Sequence, residues 1–553
     1  MSKIRYILPG DPLVEPKLLV AKQHDIEINL DISDAAYCLN KSRHNQDFSL
    51  FLLANQALEI LLEIENNKTP TLLSLERLKD NFQQLGLIPY SHQLECVRCV
   101  IEEMNGQAIL ADEVGLGKTI EAGLIIREYF LRDLVEKVLI LTPASLTRQW
   151  EWELRQKLGL RVFRQRTILD WQNSRLLVAS LETAKREPHA SLVKEVNWDM
   201  VIVDEAHRLK NHKTQAYRFV SELKKKHLLL ITATPMQNNL RELFNLVQLI
   251  APGTLGSLEE FSAKYSLEAK PNLEQIKQSL KPFLIRTTRK EAFLDLPQRD
   301  VSHVPCVQDK AEKILYQALS EYILTSLKKD QSNYLTLVTL QKELCSSIFA
   351  ALLTLEKMLN RAPDPILGEI VRLGVDVKIN AKTKYLLEEL PSIGEKIVIF
   401  TEYLATQKFL ANELSKRDLS FVTYDGTLSS SKKEWAKERF RRDAQILLAT
   451  QAGGEGLNLQ FCQNIINYDL PWNPMKIEQR IGRIHRLGQK KPVKILNLFT
   501  KDTIEERILE LLYHKLKLFT DVFSLEEETL GQDLTHYIVT ELLDIPLTKE
   551  LSC

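Results

Sequence analysis

The chain has 553 residues, 44% of them hydrophobic and 26% charged, with Lys+Arg and Asp+Glu balanced at 73 each. That length exceeds one core and implies two or three domains of ordinary globular composition. Zero formal charge removes bulk electrostatics as an argument for a nucleic-acid partner and leaves only a local basic groove, while no run reaches the ~20 apolar residues of a membrane span.

The N-terminal stretch MSKIRYILPGDPLV has no apolar core of signal-peptide length, so a cytoplasmic protein is expected. Residues 1–80 form an accessory domain without a readable role. Ile26, Ile28, Leu30 and Ile32 alternate as in a strand, and Phe48–Ile64 and Thr71–Leu85 have helical periodicity. From about Leu87 strands alternate with helices, the pattern of a parallel α/β sheet. Cys96 and Cys99 form a C-x-x-C within a predicted helix, Leu94–Met104. No second pair lies at zinc spacing, so core packing is favoured over a metal or redox role. The seven cysteines are scattered, as in a reduced protein.

Short apolar strands are predicted at Ala108–Ala111, Val138–Thr142, Leu176–Ser180, Met200–Val203 and Leu228–Thr232. Ligands of such sheets gather beyond the carboxyl ends of the strands. Beyond the first strand lies Asp112-Glu113-Val114-Gly115-Leu116-Gly117-Lys118-Thr119, followed by a helical pattern. Strand, glycine loop and helix are the context of a phosphate-binding loop. Gly115 and Gly117 let backbone N–H groups turn toward an anion, and the helix dipole favours it. Lys118 reaches the terminal phosphates of a nucleotide, and the Thr119 hydroxyl ligates Mg²⁺. Asp112 stands where the general motif has its first glycine. Asp204-Glu205-Ala206-His207 ends the strand Met200–Val203. Asp204 suits Mg²⁺, partly through water, and Glu205 suits polarisation of an attacking water. Thr232-Ala233-Thr234-Pro235 closes the next strand with hydroxyls near the same place.

These runs resemble motifs I, II and III of superfamily 2 helicase-type ATPases. The resemblance implies ATP and Mg²⁺ as cofactors. Pro89-Tyr90-Ser91-His92-Gln93 is similar to the adenine-reading Q motif, with Gln93 as reader. Ile140-Leu141-Thr142-Pro143 with Trp150 and Glu153 resembles motif Ia, and Ser180-Leu181-Glu182-Thr183 resembles motif Ib.

Residues 241–390 read as mostly helical, with breaks at Pro252-Gly253 and Pro363-Asp364-Pro365. Leu284-Ile285-Arg286-Thr287-Thr288-Arg289 and Leu294-Asp295-Leu296-Pro297 resemble the way out of the first motor lobe in Snf2-type proteins. The helices from Lys310 to Asn360 match that group's helical insertion or plain core helices. A second α/β pattern begins near Lys382, with strands at Ile397–Phe400, Phe421–Tyr424, Ile446–Ala449 and Asn464–Tyr468. Ile399–Tyr403 resembles motif IV, Thr450–Asn458 motif V, and Gln479–Arg486 motif VI. Arg483 and Arg486 are three apart, on one face of a helix, and the resemblance makes them arginine fingers in cis. Thr503–Phe523 reads as an amphipathic helix that resembles a brace across the lobes, and Asp533–Cys553 as a short helical cap.

His485-Arg486-Leu487-Gly488-Gln489, Trp472-Asn473-Pro474 and the Asp-Glu opening of the glycine loop point to the Snf2 branch. The run Asp112–Gly123 is similar to the prokaryotic RapA-like group. The expected fold class is α/β, with two tandem RecA-like lobes, helical insertions and a small N-terminal domain. Its boundaries are 1–80 accessory, 81–290 first lobe, 291–380 insertion and linker, 381–505 second lobe, and 506–553 brace and tail.

Expected catalytic residues are Lys118, Asp204, Glu205, Gln479, Arg483 and Arg486. Gln93 and the run Asp112, Glu113, Val114, Gly115, Leu116, Gly117, Lys118 and Thr119 are expected to bind nucleotide. Thr142, Ser180, Thr183, Thr401, Thr450, Gly454 and Asn458 are candidates for nucleic-acid backbone contacts. The implied partner is double-stranded DNA, gripped without base reading. RNA polymerase or another DNA-bound protein would be displaced by a monomeric motor, nucleoid-associated if bacterial. A strand-separating DNA or RNA helicase and a nucleotide-gated subunit of a polymerase or defence assembly are the alternatives.

Overall fold

A computed structural model describes residues 72, 89–232, 240–265, 278–289, 291–292, 296–329, 334–450, 457–486, 488–510 and 512. The expectations for residues 1–71, Ala233–Pro235, Gly454 and the tail beyond 512 lie outside them. The chain divides into two compact units, Met1–Glu76 and Arg77–Cys553.

The second unit contains two parallel sheets. The first is built from β1 (Gln107–Leu110), β2 (Val138–Thr142), β3 (Phe163–Arg164), β4 (Leu176–Ser180), β5 (Trp198–Asp204), β6 (Lys225–Ile231) and β7 (Leu284–Ile285), in the order β3-β4-β2-β5-β6-β1-β7. The second contains β8 (Arg299–Cys306), β9 (Ile397–Thr401), β10 (Phe421–Tyr424), β11 (Ile446–Thr450), β12 (Asn464–Asn467) and β13 (Val493–Thr500), in the order β10-β11-β9-β12-β13-β8. All five residues of β2, β9 and β11 are buried. Helices covering both faces of a parallel sheet demand that continuous apolar run. The two-lobe α/β expectation therefore holds.

Helix termini follow their caps. Helix α1 (Ser91–Glu102) precedes β1, and α2 (Lys118–Leu131) follows it. α3 (Thr147–Leu158) connects β2 to β3. Between β8 and β9 come α4 (Lys310–Lys329), α5 (Tyr334–Ser346), α6 (Ile348–Arg361), α7 (Pro365–Asp376) and α8 (Ala381–Glu389). The predicted break at Pro363–Pro365 separates α6 from α7. Asp364 accepts the Ile366 N–H at 2.9 Å, and Pro365 occupies the first turn, where a missing N–H costs nothing. α9 (Pro474–Ile481) starts the same way, with Asn473 accepting from Met475 N at 2.9 Å. The Trp472-Asn473-Pro474 signature is thus a helix start that aims motif VI.

The second sheet takes in a strand that precedes the expected second-lobe boundary at residue 381. β8 lies within 291–380, yet it pairs with β13 from Arg299↔Val493 to Cys306↔Thr500. The chain enters the second sheet before the helices, which are an insertion in that lobe. β8 is an edge strand with one fully buried residue, and it tolerates Pro305. Its sequence lacks the apolar run that marks the inner strands. β13 also escapes the predicted set. Its apolar residues are interrupted by Asn497, which accepts from Asn467 Nδ2 at 2.7 Å across the sheet. A short apolar run of this kind does not separate strand from buried helix.

The insertion packs α4–α7 against Phe499, Ile504, Ile508 and Leu512 of the second lobe. Beneath it Lys382 of α8 is fully buried. Its Nζ donates to Asp469 at 3.0 Å, Glu505 at 2.6 Å and the Tyr468 carbonyl at 2.9 Å.

Candidate active site between the lobes

Gly115 and Gly117 have φ of 95° and 96°, a left-handed conformation that non-glycine residues resist. A Cβ on Gly117 would also meet Gln93 Nε2 at 2.4 Å. The loop they form ends β1 and caps α2. Lys118 folds over it, with Nζ donating to the carbonyls of Asp112 at 2.5 Å and Glu113 at 3.1 Å. Burial lowers the Lys118 pKa, opposed by Asp112, Glu121, Glu205 and Asp204.

Asp204 ends β5 at the carboxyl edge of the sheet. It accepts from Trp150 Nε1 at 2.7 Å and Thr142 Oγ1 at 3.2 Å. Burial, then the neighbouring Glu205 charge, raises its pKa to about 6 against those donors. Glu205 has φ of 52°, a strained position for a non-glycine residue and one that aims its side chain off the strand axis. Burial pushes the Glu205 carboxyl up, but His207, 3.1 Å away, together with Arg483 and Lys118 outweighs it and lowers the pKa. Two crowded carboxylates beside a threonine hydroxyl are a fitting donor set for Mg²⁺, which would relieve their repulsion. Thr119 and Asp204 would hold it.

The second lobe closes the site. A cavity of about 130 Å³ is lined by Val114, Gly115, Gly117, Lys118, Thr119, Asp204 and Glu205 on one side and Gln479, Gly482, Arg483 and Arg486 on the other. The lobes touch at the glycine loop. A Cβ on Gly482 would lie 2.3 Å from Val114 Cγ1, and one on Gly115 would lie 3.2 Å from Arg486 Cβ. Arg480, next to Gln479, faces the other way. It is buried and donates to Asn467 Oδ1 at 3.0 Å and the Asp469 carbonyl at 2.8 Å.

Several expected ligands have other work. Gln93 is buried under the loop, donating to the Leu116 carbonyl at 2.9 Å and accepting from Tyr90 N at 3.1 Å. Asp112 is fully buried and accepts from Thr287 N at 2.7 Å, so its carboxylate faces the lobe exit and not the cavity. Glu113 likewise receives Arg289 N at 3.2 Å. These two acids anchor the loop, and Asp112 puts a fixed attachment where the general motif has its first glycine.

Two of the nucleic-acid candidates are buried on carboxylates. Thr142 is fully buried on Asp204, and Thr401 is fully buried with its hydroxyl donating to Asp469 at 2.5 Å. Neither hydroxyl faces a groove. Thr450 is buried, Ser180 and Thr183 are half-buried, and Asn458 is exposed. Arg289 and His485 join the site through contacts far apart in the chain and across the lobes, and His207 joins it through Glu205, 3.1 Å away. Leu116 and Val114 contribute through main-chain carbonyls, which leave no trace in residue type.

Cys96, on the inner face of α1, is buried, and Cys99 of the same helix is half-buried. No helix among the described residues is long and apolar enough to cross a membrane.

The chain is similar to known proteins over most of its length. The SNF2-related domain model matches residues 92–363, and the helicase conserved C-terminal domain model matches 381–488. The chain is 46% identical over 474 residues to "Uncharacterized ATP-dependent helicase YqhH" of Bacillus subtilis (strain 168), covering 83% of this chain and 84% of that protein. It is 29% identical over 442 residues to "Chromatin remodeling factor mit1" of Schizosaccharomyces pombe, covering 74% of this chain but 31% of that longer protein. The solved "Sulfolobus solfataricus SWI2/SNF2 ATPase core in complex with dsDNA" is similar at 24% identity and a TM-score of 0.38, covering 79% of this chain and 93% of that one.

Proposed function

Because the chain belongs to the SNF2-related family of ATP-hydrolysing, helicase-type enzymes, we propose that it is a double-stranded-DNA translocase that remodels or displaces bound protein. The observation that carries this reading is the split site. Lys118, Thr119, Asp204 and Glu205 come from one lobe, and Gln479, Arg483 and Arg486 come from the other.

Each side contributes a distinct part of ATP hydrolysis. Loop N–H groups and Lys118 hold the terminal phosphates. Bound through Thr119 and Asp204, Mg²⁺ would neutralise phosphate charge. Glu205, kept ionised by its cationic neighbours, orients the attacking water. Arg483 and Arg486 meet the charge that develops as the terminal phosphoryl group leaves.

At about 130 Å³ the cavity is smaller than the ~300–1,000 Å³ of typical small-molecule sites. A nucleotide held between the two lobes couples binding, hydrolysis and release to their opening and closing. With each lobe holding the DNA backbone, every cycle advances the protein along the duplex. Backbone contacts carry no base information, so binding is insensitive to sequence and steeply dependent on salt. The loop run Asp112–Gly123 supports a RapA-like branch, which makes RNA polymerase the first displaced protein to try.

The test is the ATPase rate with no polymer, duplex DNA, single-stranded DNA and RNA. Stimulation by duplex DNA without strand displacement is the expected outcome. Stimulation confined to single strands or RNA, with efficient unwinding, would replace this reading with a strand-separating helicase.

A further inference from the structure

Arg289 belongs to none of the catalytic motifs and lies just beyond β7, where the chain leaves the first lobe. Its side chain is 17% exposed. Nη2 donates to the Val114 carbonyl of the glycine loop at 2.8 Å. Nε lies 3.6 Å from the Glu113 carboxylate, which also accepts the Arg289 backbone N–H at 3.2 Å. Nη1 lies 3.2 Å from His485 Nδ1 in the second lobe.

The chemistry of that last contact is determined by its partners. A guanidinium only donates, so Nδ1 supplies a lone pair. The other ring nitrogen, Nε2, lies 2.9 Å from the Pro297 carbonyl, which only accepts. His485 is therefore the neutral Nε2–H tautomer, held at both ends. It sits between Arg483 and Arg486 in the chain. Val114, whose carbonyl Arg289 holds, abuts Gly482 at the start of the same turn. One side chain thus grips the phosphate loop and the arginine-bearing turn together.

We infer that Arg289 is a positioning residue that sets the register of the Arg483–Arg486 turn against the phosphate loop during ATP hydrolysis. It touches no reacting atom. It acts through Val114 on one side and His485 on the other, and a planar fork serves both where a single ammonium would not. The inference rests on hydrolysis between the lobes and is independent of movement on DNA.

The test is steady-state ATPase of the full chain, with and without duplex DNA, for Arg289→Ala, Arg289→Lys, His485→Ala and the Arg289→Ala/His485→Ala double variant. Misplacing a catalytic group by about 1 Å costs on the order of 100-fold. Arg289→Ala should lower kcat by about 10- to 100-fold, in basal as in stimulated turnover. KM for ATP should move by less than about threefold, since phosphate binding does not depend on register. The double variant should be no slower than the slower single one, because both remove one contact. Arg289→Lys should recover part of kcat.

A general loss of structure would raise KM and lower the melting temperature along with kcat, and that result overturns the assignment. So would unchanged kcat, or losses that multiply in the double variant. Should Arg289→Ala fail to fold, Arg289→Lys and His485→Ala carry the same comparison. Wild-type turnover that ignores DNA would remove the translocase reading and leave this test intact.

Discussion

Lys382 is the place to test how the second lobe holds together. Burial alone would lower its pKa, but Glu505 and Asp469 outweigh that and raise it, so it is a buried cation. Lys382→Met leaves two buried carboxylates without their cation. Removing one partner of a buried pair costs about 3–5 kcal/mol. Remaining donors keep the cost from growing further. Asp469 retains the Thr401 and Ser346 hydroxyls and the Glu402 N–H, and Glu505 retains the N–H and hydroxyl of Thr500.

A domain of this size has about 5–15 kcal/mol of stability in all. Lys382→Met should therefore move the melting temperature of the second lobe down by roughly 6–20 °C, at about 2–4 °C per kcal/mol. Adding Glu505→Gln removes one stranded charge and should recover at least about 1 kcal/mol. Urea unfolding followed by intrinsic fluorescence, alongside calorimetry, measures both. A single variant within about 1 kcal/mol of wild type, or a double variant less stable than the single, would refute the reasoning.

Four further outcomes follow from the site. Glu205→Gln should bind a fluorescent ATP analogue and fail to turn ATP over, whereas Lys118→Ala should lose binding itself. Arg486→Ala should cost about 10³–10⁵ in kcat, as removed arginine fingers do, and a near-normal rate would exclude it from the reacting phosphate. Burial, followed by Arg289 and Arg299, lowers the His485 pKa against the opposing pull of the Pro297 carbonyl and Glu478. A depressed histidine stabilises the fold fully above its unfolded value of about 6.5 and loses that contribution as pH falls through the folded value. The stability difference between wild type and His485→Gln should be constant above about pH 6.5 and shrink below it, read from unfolding curves at several pH values.

How much of this was legible in the sequence depends on the range over which each residue acts. The glycine loop was readable because Gly115, Gly117, Lys118 and Thr119 act within eight residues of Asp112. The acidic strand end was readable because Asp204 and Glu205 directly follow four apolar residues. Inner strands announced themselves by burial on both faces. Arg289 did not, since its contacts lie 175 residues back at Val114 and 196 residues on at His485. Lys382 meets partners 87 and 123 residues away. Thr142 and Thr401 have the residue type of a backbone-binding hydroxyl, but only packing reveals that a buried carboxylate receives each one. β8 was obscured by its own position, because an edge strand needs few apolar side chains.

The placement of β8 also governs how the chain must assemble. Its pairing partner, β13, begins 194 residues later, from Arg299 to Val493. At a synthesis rate of about 5–20 residues per second, roughly 10–40 s pass before that partner emerges. During that interval the strand has no neighbour, while the first lobe, complete by Ile285, can already fold. The second lobe is thereby committed to finishing only when its last strand arrives, and closing so long a loop makes it the slow half of folding. A pulse of nascent chains stalled before Val493 should yield a protease-resistant first lobe with an unprotected second, a vulnerability written into the order of the strands.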